Sequence, residues 1–211
     1  DLLGILKDRI LPEYPETIIN IKTIPALDAI EEEGGHLKIG ALTTLADMTR
    51  SGLIRKRYPV LADAAGAVAT PQIRNIGTIG GNLCQDVRCL YYRYPHQIGG
   101  RISCKRKGKG PCLALKGDNR YSAVMGARGC FAVCPSDMAV ALAALDAGIK
   151  VVGRGDGKWM PIGDFYTNSG NVLGKEEMVT EIRVPVPRKG AMAVFVKFRL
   201  RDAVDLSLIH I

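Results

Sequence analysis

The spacing of apolar residues changes period several times along the chain, and each change predicts an element. Near the start, Leu2, Leu3, Ile5, Leu6 and Ile10 recur at helical spacing. They predict one face of a short helix over residues 1–10, ended by Pro12 and Pro15. Residues 17–21, TIINI, read as a strand. Residues 24–33 fit neither period cleanly. Gly34-Gly35 marks a turn, and residues 36–40 alternate as a strand. Thr43 and Thr44 can cap a helix running to Ser51 with Leu45 and Met48 inward. A second helix is expected over about residues 59–68, with Leu61, Ala64 and Ala65 inward.

The middle of the chain loses this regularity. Residues 70–83 carry too many breaks for a regular helix, and their glycines permit close backbone approach. Residues 84–129 have poor periodicity and many Gly, Lys and Arg, which predicts a long loop. Loops of that length are usually functional or disordered. Order resumes at Pro135-Ser136-Asp137, a helix-capping signature. The Ala-rich stretch 138–147 that follows is apolar on most sides and is expected to be buried. Strands are predicted at 148–153, 158–162, 176–184 and 194–199, with a turn at 155–157. No internal repeat or low-complexity tract is present. The chain has no initiator Met, and its pattern breaks off after Asp205, so it reads as a piece of a longer protein.

Composition narrows the class. A chain of 211 residues suits one large domain or two small ones. Its 47% hydrophobic content argues against disorder. No apolar run approaches the roughly 20 residues of a membrane helix, and residues 1–10 lack a signal-peptide pattern. The formal charge of +8 is localised: ten Lys and Arg stand against two Asp between Cys84 and Cys134, and the rest of the chain balances. All six cysteines (84, 89, 104, 112, 130 and 134) lie in the same stretch. Such a cluster in an otherwise cysteine-free chain fits a metal site in a reducing compartment, so a cytoplasmic location is expected, better than a secreted disulfide framework.

Three stretches can carry chemistry, each with a plainer alternative. Residues 77–82, GTIGGN, can present backbone N–H groups to a phosphate, or can simply turn the chain between a helix and a strand. Ser136-Asp137 can hold sugar or ribityl hydroxyls, or can be an ordinary N-cap. The cysteines contain no CxxC pair, which disfavours a zinc ribbon, whereas four thiolates from a loop can hold an iron–sulfur cluster. Unrelated core thiols remain open for Cys84 and Cys134, which flank ordered elements. The run from Arg101 to Lys109, with Tyr91, Tyr92 and Tyr94, offers a zinc-stabilised nucleic-acid patch, which the interrupting cysteines and the lack of any such motif disfavour. His36, His96 and His210 are isolated and receive no catalytic role.

Together, residues 74–83 (RNIGTIGGNL), 135–139 (PSDMA) and 141–145 (ALAAL) resemble the FAD-binding medium subunit of the molybdenum hydroxylase family, which includes xanthine dehydrogenase-like and carbon monoxide dehydrogenase-like enzymes. Residues 37–44 are similar to that family as well. The cysteine insert resembles the one in the flavin subunit of 4-hydroxybenzoyl-CoA reductase, which holds a 4Fe–4S cluster. The resemblance implies an α+β, two-lobed FAD-binding fold of the vanillyl-alcohol-oxidase type. Residues 1–55 would form the N-terminal lobe, residues 56–190 a second lobe containing the 84–134 insert, and residues 191–211 the start of a further domain. It implies FAD held by Thr78, Ile79, Gly80, Gly81, Asn82, Ser136 and Asp137, with Lys197 near the isoalloxazine ring. It implies cluster ligands Cys89, Cys104, Cys112 and Cys130. It also implies partner subunits carrying molybdopterin and 2Fe–2S clusters, a carrier such as ferredoxin, and a reaction such as aromatic acyl-CoA dehydroxylation. A hydroxylase passing electrons to NAD or a quinone is the alternative within the family. The family's first phosphate loop is of the Ala-Gly-Gly-Thr-Asp type, and this chain opens at Asp1-Leu2-Leu3 as if inside it.

Overall fold

The computed structural model describes residues 1–11, 13–94, 104–107, 110–168, 170–199, 201 and 205. His96, Arg101, Lys109 and His210 therefore lie outside the described residues.

A five-stranded antiparallel sheet organises the molecule. It is built from β1 (Ile30–Glu33), β2 (His36–Gly40), β3 (Gly148–Val152), β4 (Lys158–Pro161) and β7 (Met178–Pro185), in the order β1-β2-β7-β3-β4. The ambiguous stretch before residue 34 resolves into β1, because Gly34 and Gly35 take φ of +56° and +76° and fold it back on β2. Two positive-φ residues at a two-residue turn match the twist of a hairpin, and glycine adopts them without Cβ strain. β2 is hydrogen-bonded to β7 throughout, so residues before 55 complete a sheet whose other strands come after 148. The register of β3 and β7 shifts between Lys150 and Val151, with Thr180 as the extra residue. That bulge turns Val179 and Ile182 to the same side, although they are three apart, and both are buried.

Seven short α-helices accompany the sheet among the described residues. They are α1 (Leu2–Lys7), α2 (Leu45–Arg50), α3 (Gly52–Arg57), α4 (Pro59–Ala67), α5 (Pro71–Arg74), α6 (Ile79–Leu83) and α7 (Asp137–Ala144). The core joins Leu37, Ile39, Ile149, Val151, Ile182 and Val184 from the sheet to Leu61, Ala64, Ala65, Met138, Ala141 and Leu142 from α4 and α7. Alanine at the facing positions lets these two helices approach closely while both rest on the sheet. A short hairpin, β5 (Tyr166–Thr167) with β6 (Gly170–Asn171), stands apart from the main sheet.

Several expectations need correction. Residues 17–21 and 194–199 belong to no strand. Ile19 is 78% exposed, and Val194 and Val196 are 79% and 81% exposed. Alternation favours extended backbone, but a strand also needs an edge to pair with, and neither segment meets one among the described residues. The glycine-rich stretch is more helical than its composition implied, since it contains α5 and α6. α3 was not foreseen; Ser51 ends α2 and caps α3 with the same residue. The first helix buries Ile5, but Leu2 and Leu3 remain at least half exposed.

Candidate functional site

The glycine-rich stretch is clamped onto residues 41–45. Leu45 N donates to Gly77 O (2.9 Å), Ile79 N to Thr43 O (2.9 Å) and Gly80 N to Ala41 O (2.9 Å). Thr78 caps α6, its hydroxyl accepting from Gly81 N at 3.1 Å, and Asn82 N donates to Thr78 O at 2.8 Å. The backbone N–H groups of residues 79–82 are thus already used within the chain, which corrects the expectation that they stand open to a phosphate. Gly80 has a different task. A Cβ there would lie 2.8 Å from Ala41 O and 2.9 Å from Ala41 Cβ, so only glycine lets α6 seat against residue 41.

Seating α6 brings Asn82 to the start of α7. Ser136, the N-cap of α7, accepts from Ala139 N at 3.0 Å and donates its hydroxyl proton to Asn82 Oδ1 at 2.7 Å. The next residue, Asp137, accepts from Lys197 Nζ at 2.7 Å, and Lys197 also donates to Ala67 O at 3.1 Å. All four side chains are buried; those of Lys197 and Asp137 are 5% and 6% exposed. The sequence-predicted residues are therefore brought together: α6 meets the start of α7 through Asn82 and Ser136, and Lys197 meets it through Asp137 and α4 through Ala67 O. Gln85, which sequence reasoning missed, locks it, donating to Asn82 O (2.9 Å) and Pro135 O (3.0 Å). No local pattern marks a glutamine for that role. The set fits the polar chain of FAD in its chemistry: carboxylate, amide and hydroxyl groups fixed in place, with Gly81 exposed beside them.

The cysteine segment folds against this site and against the N-terminus. The Asp1 carboxylate accepts from Asp86 N (2.8 Å) and from Arg93 Nη2 (3.0 Å), and pairs with Arg88. Tyr92 donates its hydroxyl to Asp86, and Arg106 pairs with Asp86 at 3.4 Å. Burial, with the Asp86 carboxylate beside it, pushes the Tyr92 hydroxyl far above the usual phenol range. The Tyr92 hydroxyl is thereby held protonated on Asp86.

Cys89, Cys104, Cys112 and Cys130, the four expected ligands, line one small chamber together with Tyr91, Arg106 and Leu113. The donor set is one that an iron–sulfur cluster takes. Among the described residues, no three of His, Cys, Asp or Glu stand in a metal-coordinating arrangement, so the cysteines share a chamber without forming a coordination sphere. Cys84 and Cys134 sit outside it, on a wider cleft bounded by Tyr166 and Asn171 that Cys130 also lines. Burial pushes the Cys84 thiol up to about 11 and raises Cys134 as well, which keeps both protonated. Tyr166, also unforeseen, donates to Leu83 O at 2.9 Å and closes the inner end of that cleft.

Residues 3–187 match the family model described as the FAD binding domain in molybdopterin dehydrogenase. The aldehyde oxidoreductase FAD-binding subunit PaoB of Escherichia coli is 33% identical over 221 residues, covering 100% of this chain and 67% of that protein. The carbon monoxide dehydrogenase medium chain of Hydrogenophaga pseudoflava is 48% identical over 69 residues, 33% of this chain and 24% of that one. A solved structure of carbon monoxide dehydrogenase from the same organism, lacking the Mo-pyranopterin moiety of its cofactor, matches with a TM-score of 0.69 and 26% identity, covering 98% of this chain and 55% of that one. This chain thus spans between half and two thirds of the length of the relatives that match it throughout.

Proposed function

This chain belongs to the family of FAD-binding domains of molybdopterin dehydrogenases, and from that premise we propose that it is the flavin-carrying electron-transfer part of a molybdenum-dependent oxidoreductase. One observation carries the reading. Four side chains from three separated segments, Asn82, Ser136, Asp137 and Lys197, are buried near the start of α7 as two hydrogen-bonded pairs, Ser136 with Asn82 and Lys197 with Asp137, beside the exposed Gly81. FAD bound there supplies the exchange between two-electron and one-electron transfer. Asp137 would hold ribityl hydroxyls. Thr78, Ile79, Gly80, Gly81 and Asn82 would shape the wall along the pyrophosphate and ribityl chain. Lys197 would keep a positive charge beside the site. In this reading residues 1–55 and 56–190 supply the two lobes of a vanillyl-alcohol-oxidase-type fold, and residues 191–211 lead into a further domain.

The test is flavin occupancy in the purified complex. Asp137→Ala is expected to lower bound FAD, read by absorbance after denaturation. Full flavin content in that variant would remove Asp137 from the site. No flavin in the wild-type complex would remove the reading.

The same proposal extends to the insert. Cys89, Cys104, Cys112 and Cys130 would ligate a 4Fe–4S cluster, supported by their common chamber. Such a cluster supplies one-electron steps between the flavin and an outside carrier such as a ferredoxin. Partner subunits would carry molybdopterin and 2Fe–2S clusters, and the substrate would be an aromatic acyl-CoA undergoing dehydroxylation. Iron analysis decides the cluster: about four irons per chain are expected, falling in Cys104→Ser and Cys112→Ser. A xanthine or carbon monoxide dehydrogenase-like hydroxylase is the second reading, favoured by the similarity to the carbon monoxide dehydrogenase medium chain. Reduction of NAD or a quinone by the purified complex would select it. The family assignment displaces a zinc-stabilised nucleic-acid module as the reading of the whole chain.

A further inference from the structure

We propose that the cleft between the cysteine-rich segment and the β5–β6 hairpin binds a small aromatic monocarboxylate. The site is separate from the flavin set, because Asn82, Ser136, Asp137 and Lys197 do not line it. The two adjoin through Gln85, which lines the cleft while its amide nitrogen donates to Asn82 O and Pro135 O.

The cleft has a volume of about 500 Å³, in the range of small-molecule sites. Its walls are tied by bonds within the chain. At the inner end Tyr166 donates to Leu83 O at 2.9 Å. Along one side Ala123 N donates to Phe131 O at 2.8 Å, and antiparallel bridges join Ser122 to Ala132 and Arg128 to Cys130. Tyr92 donates its hydroxyl to Asp86, and Arg106 pairs with the same carboxylate at 3.4 Å. Walls already fixed in this way lose little freedom when a ligand enters.

The lining sets the class of ligand. Tyr92 and Tyr166 contribute aromatic surface, and Val87, Met125, Ala132 and Pro135 contribute apolar surface. A flat apolar body gains by leaving water for such walls. Three ionic side chains also line the cleft: Asp86, Arg106 and Arg128. Two guanidiniums against one carboxylate leave one positive charge in excess. The carboxylate is engaged inside the chain, since Asp86 Oδ1 accepts from Val87 N at 2.8 Å besides its contacts with Tyr92 and Arg106. Arg106 answers Asp86, so the excess falls on Arg128. Arg128 is exposed and enters no ion pair among the described residues. A guanidinium presents a planar fork of donors that matches a carboxylate, and it stays charged at any working pH. One excess cation beside an apolar, aromatic cavity suits a ring bearing a single carboxylate.

The experiment titrates the whole purified complex by calorimetry with three probes: 2-naphthoate, its neutral amide and acetate. Wild type is expected to bind 2-naphthoate saturably, about tenfold more tightly than either of the other two. Arg128→Gln and Ala127→Glu each cancel the excess charge in the lining, one by removing a cation and one by adding an anion. Both should weaken 2-naphthoate about tenfold and leave the amide unchanged, which also shows that the cleft is intact. Absence of saturable 2-naphthoate binding in wild type would overturn the proposal. Equal affinity for acid and amide would remove the role of the cation, and equal affinity for 2-naphthoate and acetate that of the aromatic walls; either overturns it. Binding of 2-naphthoate as tight in both variants as in wild type would place the ligand elsewhere and overturn it as well.

Discussion

Lys197 and Asp137 are 60 positions apart, and both side chains are almost completely withdrawn from water. The direct bond between them offsets the burial of both groups, and Ala67 O accepts a second bond from Lys197. Asp137→Ala should therefore destabilise the fold by about 3–5 kcal/mol, the usual cost of stranding a buried charge. The double variant Asp137→Leu/Lys197→Met should recover much of that loss, and chemical denaturation of both proteins checks it. The Cys84 thiol makes a second residue-scale prediction. Burial raises its pKa from 9.0 to about 11, so the folded chain keeps a proton that the unfolded chain releases. Stability is full below the ordinary thiol pKa and falls as pH rises from 9.0 towards 11. The slope for this thiol is at most about 1.4 kcal/mol per pH unit. Cys84→Ala should flatten that part of the stability–pH curve relative to wild type. At this scale the sequence was readable where a residue acts on its own neighbours. Ser136 caps α7 as the Pro-Ser-Asp signature implies. That its hydroxyl also reaches Asn82, 54 residues away, has no local trace.

Among the elements, α6 shows how a weak helix is held. It is five residues long with two adjacent glycines, and its propensity is poor. The Thr78 cap and the bonds from Ile79 and Gly80 to residues 43 and 41 supply the stability that propensity does not. Thr78→Ala should cost about 1 kcal/mol through the lost cap. Gly80→Ala should cost more than Thr78→Ala, because its Cβ would meet the backbone of residue 41 rather than a movable side chain. Thermal unfolding of the two variants should rank them in that order, and equal melting points would contradict the packing role given to Gly80. Strand prediction succeeded where alternation and a partner coincide, as in β2, β3 and β7. It failed at residues 17–21 and 194–199 because hydrophobic alternation records the wish of a side chain for burial, not the presence of an edge to pair with. In the second segment the alternation still has meaning: Phe195 packs against the core and Lys197 reaches Asp137, while Val194 and Val196 face outward.

Over the whole sequence, the charge distribution separates a neutral remainder from a basic, cysteine-rich segment, residues 84–134. The Arg106 and Arg93 side chains are drawn into that segment, and Lys105, Lys116 and Arg120 are exposed. If the insert receives electrons from an acidic carrier, the surface group steers the encounter. Replacing Lys105, Lys116 and Arg120 by glutamine should slow reduction by a ferredoxin-type protein at low salt. The difference from wild type should vanish near 1 M salt, where the screening length is about 3 Å. Stopped-flow rates at two ionic strengths check it, and equal rates at low salt would remove the steering role. Among the described residues, no helix is long and apolar enough to cross a membrane.

The amino-acid sequence by itself determined the local and compositional features. These are the cap at Ser136, the turn at Gly34-Gly35, the buried Ala-rich helix, the confinement of excess charge and cysteine to one segment, and a glycine-rich motif specific enough to indicate the family. Each depends on neighbours a few positions away or on counts over a window, and such information is present in a linear string. Only the tertiary structure decided which four of six cysteines share a chamber, and that Asn82, Ser136, Asp137 and Lys197 meet. Those outcomes depend on pairings across 50 or more residues, such as β2 with β7 and α6 with α7. They are set by the closing of one hydrophobic core, a collective event in which each pairing is favourable only once the others have formed.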